Sequence, residues 1–136
     1  MPTLKNYRLL ISHSWQYSNH YETIVSWLNG ASNFQWSNHS VSADNPLDTS
    51  TKRELKTRLT NQISGCHAVI IVAGMYASYS EWIDYEIDEA LRMGKPIIGI
   101  KPWGNQVMPK KISDNATVLV NWNSSSLVSA IRDYAL

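Results

Sequence analysis

The sequence holds a single cysteine, no apolar run near the ~20 residues that a membrane-spanning helix needs, and no surplus of charge of either sign. Lone Cys66 excludes an intrachain disulfide, and its place at the start of an apolar run reads as a small buried thiol. The 12 Lys and Arg against 11 Asp and Glu are scattered along the chain, so the basic field that drives phosphate-backbone binding is missing. Nucleic acid is therefore not an expected partner. Residues 1–7 lack the layout of a secretory signal, and with no spanning run the expectation is a cytoplasmic protein without a membrane partner.

Several chemical motifs are missing too. Neither G-x-G-x-x-G nor G-x-x-x-x-G-K-[ST] follows a strand-like run, which excludes the glycine loops that cradle phosphate in dinucleotide folds and P-loop enzymes. His13, His20, His39 and His67 show no H-x-x-x-H spacing and there is no cysteine pair, so no metal site is expected. A phosphoryl-accepting receiver domain needs acids after its first strand and an aspartate after its third. Those places read Ser12-His13-Ser14 and Ala73-Gly74-Met75. No G-x-S-x-G elbow occurs, so Ser12-His13-Ser14 reads as a ligand-bonding loop rather than as a serine nucleophile.

What is present is an alternation of strands and helices in 136 residues, read as one domain spanning 1–136. Strands are predicted at residues 7–11, 34–41, 66–73, 96–101 and 117–120. Helices are predicted at about 18–28, 50–64, 80–93 and 125–134, the third stopped by Gly94. This order predicts an α/β domain with a central five-stranded parallel sheet covered on both faces. Residues 102–115, with two prolines and one glycine, read as a surface loop. Among six Trp and seven Tyr, several lie in polar surroundings such as Ser14-Trp15-Gln16-Tyr17 and suggest a contact surface, whereas Trp27 reads as packing. Ligands of such sheets collect beyond the carboxyl ends of the strands, here the loops after Ile11, Val41, Ala73 and Lys101.

At about 100° per residue, Ile83, Ile87, Ala90 and Leu91 form the expected buried stripe of the third helix. Glu86 then falls on the stripe's edge, one turn beyond Trp82, and the two share a half-buried flank. A carboxylate near the mouth of a parallel sheet can meet a developing positive charge or hydrogen-bond ribose hydroxyls. An acid in the first turns of a helix can equally serve only the helix dipole. From position alone the two readings stand level.

Ile11-Ser12-His13-Ser14, the run Ser80-Glu81-Trp82-Ile83-Asp84-Tyr85-Glu86-Ile87 and Gly94-Lys95-Pro96-Ile97-Ile98 resemble a TIR domain in order and spacing. More closely, the chain resembles the TIR-like family typified by the ThsB component of bacterial Thoeris anti-phage defence. That likeness includes Val120-Asn121-Trp122-Asn123 and the short last helix, and it covers nearly the whole chain. The resemblance implies a three-layer, flavodoxin-like TIR fold and an NAD⁺ glycohydrolase or cyclase-like activity at the nicotinamide–ribose bond. It implies Glu86 as the catalytic residue and NAD⁺ as a substrate, with no separate cofactor. Ser12, His13, Ser14 and Trp15, together with Met75, Tyr76 and Trp82, would line the same site. The implied product is a cyclic or modified ADP-ribose sensed by a downstream effector, with assembly into a homo-oligomer left open. Residues 42–51 depart from animal TIR domains, so adaptor-type assembly through that loop is not implied. A non-catalytic interaction module and a nucleotide-sensing domain stand as alternatives.

Overall fold

The computed structural model describes residues 5–12, 19–39, 49–72, 76–101 and 108–136. They form β1 (Asn6–Ile11), α1 (Asn19–Gly30), β2 (Gln35–Asn38), α2 (Thr49–Gly65), β3 (Ala68–Val72), α3 (Tyr76–Arg92), β4 (Ile97–Ile100), α4 (Lys110–Asn115), β5 (Val118–Val120) and α5 (Ser124–Tyr134). All strand pairs are parallel, in the order β2-β1-β3-β4-β5. The chain thus steps from β1 outward to β2, then crosses back over β1 to build the other half. The point of reversal lies between β1 and β3.

Alternation of side chains along each strand divides the core into two layers. Leu10, Val69, Ile71 and Ile97 face α2, α3 and α4, where they meet Leu59, Ile63, Ile83, Ile87 and Ile112. Leu9, Ile11, Ile70, Val72, Ile98 and Ile100 face α1 and α5, against Ile24, Leu28, Leu127 and Ile131. Both faces being covered explains why Ala68–Val72 is apolar without interruption: every residue of β3 is buried. Trp27 does pack, edge-on to Trp122 with ring centroids 4.8 Å apart. Cys66 is buried, its thiol donating to the Ile63 carbonyl at 3.2 Å, and burial pushes its pKa up to about 11. Among the described residues no helix is long and apolar enough to cross a membrane.

Three sequence expectations are corrected. β2 is shorter than residues 34–41, since His39 already lies beyond its end. The third helix starts at Tyr76, about a turn before residue 80. Within the segment read as a loop lies α4, which buries Ile112 completely. Gly99 on β4 is what admits α4 so closely: an added Cβ would meet Leu119 Cδ2 at 2.8 Å and Ile112 Cγ2 at 3.1 Å. With a single buried anchor in one and a half turns, α4 gives no readable helical periodicity.

α3 is fastened on both flanks. Tyr85 Oη lies 2.6 Å from Thr60 Oγ1 of α2 and donates to the Lys56 carbonyl at 3.2 Å. On the other side Lys111 Nζ of α4 meets Asp88 Oδ1 at 2.7 Å. Because Ile112 closes that layer, Ile112→Ala should lower unfolding free energy by about 2–5 kcal/mol. Urea denaturation measures this, and a cost near zero would return the segment to the status of a surface loop.

Candidate active site

Ser12 follows the last residue of β1, and its backbone N–H donates to the Ile70 carbonyl of β3 at 2.8 Å. This fixes Ser12 at the β1–β3 reversal, where a doubly wound sheet opens a crevice for ligands. Strand parity sets its direction, because Ser12 shares the face of Leu10, the face covered by α3. From α3 comes Glu86, whose carboxyl is hydrogen-bonded by the Ser12 side chain. Ser12 is 1% exposed and Glu86 3%, and they are the buried polar residues among those described.

Glu86 is not a helix-start acid. It sits roughly three turns into α3, beyond the reach of the dipole at the helix start, so the reading of it as a dipole-stabilising acid is overturned. Nor does it lie on the edge of the buried stripe. Trp82, Ile83, Glu86, Ile87 and Ala90 are all buried, while Leu91 is 48% exposed. Counting Leu91 into the stripe displaced its apparent centre away from Glu86. The flank shared with Trp82 is accordingly buried rather than half-buried, and Trp82 packs in the same core as Ile83.

A carboxyl in such surroundings loses hydration that only its charged form needs, and burial raises the pKa of Glu86 to about 8. The Ser12 hydrogen bond works in the opposite direction, favouring the carboxylate, and is the weaker of the two effects. The arrangement is a poised acid: mostly protonated near neutrality, ionised readily once positive charge arrives beside it.

Of the other residues expected here, His13, Ser14, Trp15 and Met75 lie outside the described residues, and Tyr76 is placed only as the first residue of α3. The structure therefore brings together Glu86 and Ser12, with Trp82 buried one turn before Glu86 on the same helix. His67 belongs to the opposite end of the strands. It precedes β3, its Nδ1 accepts from the Arg8 N–H at 2.8 Å, and burial followed by the Arg8 charge lowers its pKa.

A parallel five-stranded sheet of this order, with helices on both faces, is a flavodoxin-like α/β domain, here with a buried acid beside its reversal point. A family model described as the Thoeris protein ThsB, TIR-like domain, matches residues 10–107, and the chain belongs to that family. Solved structures similar to it include the Clostridium botulinum CMP N-glycosidase BcmB, with a TM-score of 0.56 and 15% identity over 92% of this chain and 98% of that one. At that identity the likeness is one of fold. No curated protein matches the sequence significantly.

The raised Glu86 pKa has a consequence for stability. The folded state holds this proton up to about pH 8, the unfolded chain only to about 4.5, so stability falls as pH rises between those values. The slope from this one group approaches ~1.4 kcal/mol per pH unit. Glu86→Gln should remove that slope, leaving the variant similar to wild type near pH 4.5 and more stable at pH 8 and above. Thermal melts across that range check it, and parallel pH profiles for the two proteins would contradict the burial of an ionisable group there.

Proposed function

We propose that this chain cleaves the bond between nicotinamide and ribose in NAD⁺ and converts the remainder into a cyclic or otherwise modified ADP-ribose, a signal in anti-phage defence read by a separate effector. The observation that carries this reading is the buried Glu86 carboxyl, hydrogen-bonded by Ser12 at the β1–β3 reversal. Family membership supports it, and so does an N-glycosidase among the structures that share the fold.

The chemistry suits the site. Nicotinamide in NAD⁺ is already cationic, so its approach favours the ionised form of Glu86. When the glycosidic bond breaks, its electron pair leaves with nicotinamide, which becomes neutral, and the positive charge passes to the ribose as an oxocarbenium-like centre. A carboxylate fixed beside that centre stabilises the charge as it develops. Attack at the same carbon by water, or by a nucleophile of the ADP-ribose itself, then completes the product with loss of one proton. Neither step needs a metal or a separate cofactor, and the burial of Glu86 limits water around the acid. If a neighbouring copy completes the site, turnover rises more steeply than in proportion to protein concentration.

A second reading, cleavage of a pyrimidine nucleoside monophosphate, is favoured by the similarity to the CMP N-glycosidase. Mass spectrometry of products formed from NAD⁺ and from CMP separates the two. We expect nicotinamide release from NAD⁺, at least ~10²–10³-fold slower in folded Glu86→Gln, and kcat/KM rising with pH toward a plateau above about 8. Consumption of CMP alone would select the second reading. Full activity of Glu86→Gln in phage-challenged cells would instead favour a non-catalytic interaction module.

A further inference from the structure

We propose that Ser12 is a positioning residue, whose hydroxyl holds the Glu86 carboxyl at the β1–β3 reversal point rather than contacting the substrate. The inference rests on the reading of Glu86 as the reacting acid and reassigns Ser12 from the ligand-bonding role that its sequence context suggests.

Three observations carry it. Ser12 is 1% exposed, so its hydroxyl must find its hydrogen-bond partner among buried groups. Its backbone is tied to β3 through the 2.8 Å bond to Ile70, and strand parity turns its side chain toward α3. Finally, Ser12 and Glu86 are the buried polar residues among those described, and their side chains bond to each other. Buried hydrogen-bonding groups meet partners because leaving one unsatisfied is costly, and here each serves the other. A glutamate has three side-chain torsions, so a fixed donor at the strand end selects the rotamer that aims the carboxyl. The same donor favours the ionised state, which counteracts part of the effect of burial.

The test is a titration of the Glu86 side-chain carbon by NMR in the whole chain, without substrate, for wild type, Ser12→Ala and Ser12→Thr. Loss of the hydroxyl should raise the midpoint above its wild-type value of about 8 by roughly one pH unit. Ser12→Thr, which keeps the hydroxyl, should restore it. In turnover, Ser12→Ala should lower kcat about 10-fold or more at neutral pH, with KM changed less than about twofold. A midpoint unmoved by Ser12→Ala would overturn the proposal, as would a raised KM with unchanged kcat, the signature of a substrate contact. If Ser12→Ala does not fold, Ser12→Cys supplies a weaker donor of similar size and should shift the midpoint by a smaller amount in the same direction. Because the titration needs no substrate, a chain inert toward NAD⁺ would defeat the proposed function while the midpoints still decide the role of Ser12.

Discussion

The placement of β1 between β2 and β3 is the constraint on which the rest of the molecule depends. Along its second half that strand is covered on both faces and has no solvent-facing side, so Leu9, Leu10 and Ile11 must all be apolar and must divide between two cores. The first polar residue after that apolar stretch is the one that emerges at the strand's end. That residue is Ser12, and its face follows from the parity of those before it.

The opposing helix meets a related constraint. α3 buries one stripe against the sheet, and Glu86 falls within that stripe, among residues that are otherwise apolar. Such a position disfavours charge, and a glutamate there weakens the domain relative to an uncharged residue of the same shape. The balance between burial and the Ser12 hydrogen bond sets how strongly the proton is held. The acidity of this group is thus a property of the packing of two secondary-structure elements, rather than of glutamate itself.

Much of this was legible in the residues. β3 is readable because burial on both faces leaves a continuous apolar run, and α3 because Ile83, Ile87 and Ala90 repeat at helical spacing. Two features were not. α4 carries a single anchor, Ile112, and has no period to detect. The true centre of the α3 stripe was obscured by Leu91, an apolar residue that lies exposed near the helix end, where it resembles a core position in sequence but has nothing packed over it to bury it. With Leu91 counted as core, Glu86 looks peripheral. Its closeness to Ser12, far away in the chain, depends on the crossover that brings β3 and α3 beside β1, and local periodicity contains no information about that pairing.

The clasp of α3 by Thr60 on one flank and Lys111 on the other bears on how the acid would respond to a ligand. A helix tied to both neighbours leaves its backbone little latitude, so adjustment around Glu86 is confined to side-chain torsions and to the movement of a proton. Reorganisation energy is low when only such light, local coordinates must change. In this domain the folding of α2 and α4 against α3 has already done the structural work that a looser scaffold would have to repeat at every encounter.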